Sequence, residues 1–192
     1  MAKTKKPTDF MLKNVTGSFL NVLEPKSING SEAKYSASLV FKKTDKANVA
    51  AVKRAVEAAK EDGKVKKWGG KIPGNLKTPL RDGDIDRPDD ETYEGCYFIN
   101  ANSADKPQIV DRKKNPITDP VDIYSGCILN VTCTAFPFNS NGNRGVGISL
   151  GNIQKVADGT RLSGPSSADD DFDELEDEDE ELLGDDLPDY LN

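Results

Sequence analysis

Residues 169–192 carry 14 acidic side chains and no Lys or Arg, and this limits what the chain can fold into more than any other feature. A run of like charges repels itself and offers too little apolar surface for a packed core. Whatever folds must do so in residues 1–168, a length that suits one domain with a core of its own. All 26 basic residues lie in that part, with 19 of the 33 acids, so the body carries +7 and the tail −14. The net charge of −7 thus conceals a basic body with an anionic appendage. A basic surface attracts polyanions through phosphate neutralisation and counterion release. The tail can occupy that surface until nucleic acid displaces it, so the asymmetry points to nucleic-acid binding.

The three cysteines, Cys96, Cys127 and Cys133, follow no Cys-x-x-Cys spacing, and the chain has no histidine. A Cys/His zinc site needs four ligands, or three and an open position, so no metal and no cofactor is expected. Reduced cysteines buried in strands are the plain reading. No run approaches the ~20 apolar residues of a membrane span. Residues 1–7 are basic but lead into no apolar signal core, so secretion is not expected. The domain expectation is a flexible basic arm at 1–9, a binding domain at 10–163 and a disordered acidic tail at 164–192.

The body reads as mainly β. Residues 10–23 form a strand interrupted by a bulge or bend at Gly17. Asn29-Gly30 marks a turn, and alternation over residues 33–41 puts Tyr35, Ala37, Leu39 and Phe41 on one face. Thr44 or Asp45 can cap a helix to about Asp62, with Val49, Val52, Val56 and Ala59 as its apolar stripe and Gly63 as its stop. Residues 63–93 read as a long loop region, which inside a domain is usually functional or mobile. Further strands follow at 95–101, 108–111, 126–136 and 145–156, with a turn at 112–116 and a loop at 139–144. Strands, one amphipathic helix and long loops give a β barrel or sandwich, among which an OB-fold-like Greek-key barrel binds single strands.

Candidate DNA-binding residues follow from cations set beside aromatics, since rings stack on bases while cations meet phosphates. Trp68 sits in a glycine-rich loop among Lys66, Lys67 and Lys71. Lys77 and Arg81 extend that charge, Lys42 and Lys43 close a strand, and Arg112 and Lys113 mark a hairpin tip. Tyr97, adjacent to Phe98 and so on the opposite strand face, joins Tyr124, Phe138 and Arg144 near loops. The tail is punctuated by apolar residues and ends in Asp185, Asp186, Leu187, Pro188, Tyr190 and Leu191, a pattern suited to a basic-rimmed apolar pocket on a partner. Residues 82–91 are rich in carboxylates, which leaves a metal-dependent nuclease as an alternative. An acidic-tail assembly chaperone or nucleic-acid mimic is another.

Several motifs resemble a known family. These are Pro79-Leu80-Arg81-Asp82-Gly83-Asp84, Tyr93-Glu94-Gly95-Cys96-Tyr97-Phe98-Ile99-Asn100-Ala101-Asn102, Val110-Asp111-Arg112, Ile123-Tyr124-Ser125-Gly126-Cys127, Gly142-Asn143-Arg144-Gly145-Val146-Gly147 and Asn152-Ile153-Gln154-Lys155-Val156. Over residues 10–165 the chain is similar to bacteriophage-encoded single-stranded DNA-binding proteins of the T7 type. That resemblance implies an OB-fold core and a role in phage DNA replication and recombination; no enzymatic activity is expected, and the expected location is the cytoplasm of a bacterial host. The resemblance also implies an acidic tail that contacts replication proteins such as DNA polymerase or helicase-primase. The last residue, Asn192, departs from the pattern of an apolar aromatic tip, with Tyr190 and Leu191 close by. Oligomeric state is left open, a homodimer included.

Overall fold

Period-two alternation gives the long strands a core-facing row, and those rows meet in one core. The computed structural model describes residues 5–162. The proposed docking residues Asp185, Asp186, Leu187, Pro188, Tyr190 and Leu191 lie outside the described residues. In chain order the elements are β1 (Asp9–Lys26), β2 (Lys34–Lys42), α1 (Lys46–Lys66), β3 (Arg81–Asp82), α2 (Gly83–Asp86), a 3-10 turn (Glu91–Tyr93), β4 (Cys96–Ser103), β5 (Ile109–Val110), β6 (Ile128–Ser140) and β7 (Asn143–Ala157). The turn-rich stretch at 63–93 thus contains short elements rather than only loop.

β1 pairs antiparallel with β2 and β6, β2 with β4, and β6 with β7. A short parallel contact, Ala101 with Ile148 and Asn102 with Ser149, joins β4 to β7. The ring β1-β2-β4-β7-β6 closes, and its fifth strand in chain order lies beside its third, the Greek-key arrangement of the OB-fold. β3 pairs with β4, and β5 with β7. Closure removes the open edges that would otherwise template aggregation.

Both Asn-Gly pairs adopt positive φ at both residues: Asn29 at 51° and Gly30 at 75°, Asn141 at 50° and Gly142 at 81°. This backbone matches the right-handed twist of a hairpin, and Asn and Gly tolerate it best. The second pair tightens the expected loop at 139–144 into a two-residue turn, so β6 and β7 run further than the sequence suggested. Residues 6–9, expected in a flexible arm, are tied down. The Asp9 N–H donates to the Lys6 carbonyl, Thr8 is buried, and its carbonyl accepts from the Ala135 N–H.

Helix α1 lays Val52, Ala55, Val56 and Ala59 on the barrel core. It passes through Gly63 instead of stopping there. A Cβ at Gly63 would come within 2.7 Å of the Trp68 ring and 2.6 Å of Pro137. Glycine is needed at this point for close approach, and the helix stops at Lys66, with the Lys67 and Trp68 N–H groups closing onto the Gly63 carbonyl. At the other end Asn48, 4% exposed, holds a β1 bulge near Asn14. Its Oδ1 accepts from the Lys13 N–H at 3.0 Å, and its Nδ2 donates to the Lys13 carbonyl at 2.8 Å.

Asn48→Ala takes away the side-chain partner of the part-buried Lys13 N–H and C=O, which costs about 1–3 kcal/mol. Urea denaturation should show that loss at unchanged m-value, and wild-type stability in the variant would remove this clasp from the account.

Candidate nucleic-acid interface

The outward rows of β1, β2 and β4 form a polar floor three strands wide. Register places Ser18 beside Ser38 and Ser38 beside Asn100, with Asn21, Ser36 and Asn102 as the next row. One end of this face is covered by residues 83–95. There Val40, Cys96, Phe98 and Tyr93 make a second apolar cluster, and Tyr93 sets its hydroxyl 3.0 Å from Ser38 Oγ.

At the border with β7 the floor becomes aromatic. Odd residues of β6 from Leu129 to Ala135 point into the core, so Phe136 and Phe138 point outward. Register sets Phe136 opposite Gly147 and Phe138 opposite Gly145. A Cβ on Gly147 would stand 2.6 Å from Cζ of Phe136, and one on Gly145 3.0 Å from Cζ of Phe138. Both rings therefore lie across the neighbouring strand where glycine makes room, and Phe136 remains 39% exposed. With Lys34, Arg81, Asn100 and Asn102 they line a groove of about 390 Å³ in which no carboxylate takes part among the described residues. Lys77 and Arg144 flank it: the Lys77 N–H donates to the Arg144 carbonyl at 3.0 Å, and both side chains are exposed.

The candidates read from sequence are thus partly gathered and partly dispersed. Arg81 and Phe138 line the groove, with Lys77 and Arg144 at its margin. Trp68 is a correction. It is 8% exposed, its ring lies in the core, and its Nε1 donates to the Phe138 carbonyl at 3.2 Å, so it supports the platform from beneath. Its glycine-rich neighbourhood reflects tight turns, not exposure of the ring. Tyr97 is also corrected: it packs against the core, while Phe98 faces outward under Tyr93. Tyr124 is held by its hydroxyl, which donates to Asp158 at 2.9 Å, and Arg161 covers its ring at 4.1 Å. Burial, and then Asp158, push its phenol up to about 12.

Lys43 sits in an ion-pair latch, 2.7 Å from both Asp82 and Asp84, with its pKa raised by those two partners. Lys66 pairs with Asp62 at 3.6 Å, while Lys67 and Lys71 are exposed in the turns after α1. Lys42 lies at the far end of the β2–β4 pairing, beside Cys96. Arg112 and Lys113 occupy a turn held by Asp111, next to the segment of β7 that pairs with β5. Neither pair lines the groove.

Four of the six carboxylates of residues 82–91 have structural partners. Asp82 caps α2 through the Asp84 N–H, Asp84 also accepts from the Gly95 N–H, Asp86 binds Arg81 Nε at 2.8 Å, and Asp90 caps the 3-10 turn. Among the described residues no three Cys, Asp or Glu side chains converge as a metal-ligand set. No described helix is long and apolar enough to cross a membrane. All three thiols are buried, and desolvation pushes Cys133 up to about 12.

Sequence reasoning missed Lys34, Asn100, Asn102 and Phe136 as groove residues. A signal for Phe136 was present. Folding the strand pair about Asn141-Gly142 sets Phe136 and Phe138 against Gly147 and Gly145. Lys34 reaches the groove only through the three-dimensional closure of the barrel, which no local pattern announces.

Comparison with known proteins gives a consistent picture. Residues 8–183 match the family model described as the single-stranded DNA-binding protein of Enterobacter phage Enc34. A putative protein p50 of Acyrthosiphon pisum secondary endosymbiont phage 1 is 30% identical over 185 residues, spanning 90% of this chain and 97% of that protein. Among solved structures, the single-stranded DNA-binding protein of bacteriophage Enc34 in complex with ssDNA superposes with a TM-score of 0.71 at 23% identity, over 84% of this chain and 97% of its own. The single-stranded DNA-binding protein gp2.5 of bacteriophage T7 gives 0.57 at 17% identity, over 91% and 97%. Both structures share the barrel fold.

Two measurements check the geometry. The lone Trp68 should emit at short wavelength and resist quenching by iodide; emission typical of exposed tryptophan would contradict its burial. Lys43 and the Gly95 N–H hold Asp84 below its ordinary value of 3.8, and Arg81 does the same for Asp86. A depressed carboxylate contributes stability above its ordinary value and loses it as pH falls through the folded one. The melting temperature should therefore drop on acidification below about pH 3.8, and less steeply in Asp84→Asn; equal slopes would mean the latch contributes nothing.

Proposed function

The chain belongs to the family of phage single-stranded DNA-binding proteins represented by that of Enterobacter phage Enc34, and on that premise we propose that it binds single strands, without base preference, across the outer face of β2 and β4. One observation carries the reading: two phenylalanine rings reach over glycines of the neighbouring strand, beside a cation-lined groove that no acid lines among the described residues. Unpaired bases offer faces to Phe136 and Phe138, and each stack of this kind is worth about 1–3 kcal/mol. Lys34, Arg81, Lys77 and Arg144 meet the phosphates, while Asn100 and Asn102 offer both donors and acceptors to whatever base edge arrives. This is the strand face on which OB-folds bind oligonucleotides, next to the hairpin between the last two barrel strands.

In this reading the protein is non-catalytic. It coats strands exposed during phage replication and recombination in the host cytoplasm and blocks their re-pairing. The acidic tail competes for the groove and, once displaced, recruits replication proteins. The acidic segment at residues 82–91 favours this over the nuclease alternative, because Asp82, Asp84, Asp86 and Asp90 serve as caps or ion-pair partners.

Phe136→Ala should weaken binding of a labelled oligothymidine by about tenfold or more, with little change in stability because the ring is partly exposed. Lys34→Ala should lower the salt slope of log K by about one. Wild-type affinity in both variants would move the interface elsewhere. Truncation after Ser167 should tighten binding at low salt; unchanged affinity there would take the tail out of the groove.

A further inference from the structure

The border of the polar floor opposite Phe136 and Phe138 carries an exposed aromatic that the groove does not use. Phe19 lies in β1 at an irregularity where Ser18 faces Ser38 and Asn21 already faces Ser36, so β1 has one residue more than β2. Its φ is 47°, a left-handed conformation that disfavours bulky side chains, and 54% of the residue is exposed. Both features act against an aromatic ring in a purely structural role: the backbone is strained, and burial offsets little of it. Arg87 lies over the ring, with its guanidinium 5.0 Å from the Phe19 centroid and 5.6 Å from that of Tyr93. Tyr93 in turn bonds Ser38 on the floor. The latch of Lys43 with Asp82 and Asp84, and the pair of Arg81 with Asp86, fasten the segment that carries Arg87.

We infer that Phe19 and Arg87 form a second stacking and phosphate position for the same strand, which crosses β4, β2 and β1 from the Phe136–Phe138 platform. The inference rests on the proposed function and specifies the path. Adjacent strands lie about 4.8 Å apart, so from β7, beneath the platform, to β1 is three spacings, about 14 Å. Ser18 and Ser38 are buried, each 4% exposed, so among the described residues the accessible side chains between the two aromatic borders are Asn21, Ser36, Asn100 and Asn102, which neither repel phosphate nor demand a particular base. Arg87 needs no further holder than Tyr93, and the ring of Phe19, covered by one cation, keeps its remaining surface open for a base. Stacked cation, ring and base is the arrangement that arginine and aromatics favour in single-strand sites.

The test uses the full chain and fluorescent oligothymidines of about 4 and about 12 nucleotides, short and long within the range that one OB-fold covers. Phe19→Ala should weaken the long oligomer by about tenfold and leave the short one, held at the platform, at wild-type affinity. Phe19→Trp supplies an independent readout: its exposed indole should be quenched by the long oligomer and not by the short one, against the unchanging emission of buried Trp68. If the wild type binds both oligomers while Phe19→Ala binds the long one as well as wild type does, and Phe19→Trp is not quenched, the second position is overturned and the platform stands. If the wild type binds neither oligomer, the proposed function fails and takes this inference with it.

Discussion

Everything that makes a groove of this molecule depends on the parallel contact between β4 and β7. Only Ala101 with Ile148 and Asn102 with Ser149 carry it. Without it the strands would form an open sheet in which the outward rows of β4 and β6 stand far apart. With it, Asn100 and Asn102 come beside the Phe136 and Phe138 rings that span β7. Parallel pairs are slightly weaker per residue than antiparallel ones, and this one is short. Its neighbours compensate: β3 continues along β4 through Arg81 and Asp82, and Lys77 bridges to Gly145 just beyond. The seam is therefore both where the barrel closes and where its side chains converge.

The same economy explains the acid-rich segment. Clustered carboxylates beside a polyanion site would repel it if left free. Here Asp82, Asp84 and Asp86 are matched with Lys43 and Arg81, and Asp90 caps a turn. The segment acts as a scaffold that carries two arginines, Arg81 and Arg87, to the edge of the polar floor. Its apolar contact with the barrel is a separate small cluster around Tyr93 and Phe98, in which the two rings meet edge to face at 4.9 Å.

Much of the fold was legible because the signals were local. Alternation over residues 33–41, the i, i+3 and i+4 stripe of α1, and the two Asn-Gly pairs each follow from a period or a turn geometry. The OB topology came from resemblance, since strand alternation alone could not separate a barrel from a sandwich. The site was less legible, for a physical reason. Charge and aromaticity identify groups able to bind, but only packing decides which remain available. Trp68 and Tyr97 are consumed by the core, Lys43 by two carboxylates, and Tyr124 by Asp158 and Arg161. Phe136 was passed over because its platform depends on a glycine in a different strand.

The pairing of Arg81 with Asp86 has a consequence for how binding would be counted. Counterion analysis assumes that each phosphate contact releases an ion from the strand's own atmosphere when a protein cation takes its place. At Arg81 that cation arrives already half compensated by a carboxylate 2.8 Å away that is part of the same chain. As a phosphate approaches, the tethered anion must either share the guanidinium or turn outward and collect a cation from solution. In the second case one ion is released and another is taken up, and salt concentration drops out of the balance. Arg81 can then contribute to affinity while remaining nearly invisible in a salt titration, so the number of ions released would be smaller than the number of phosphates held.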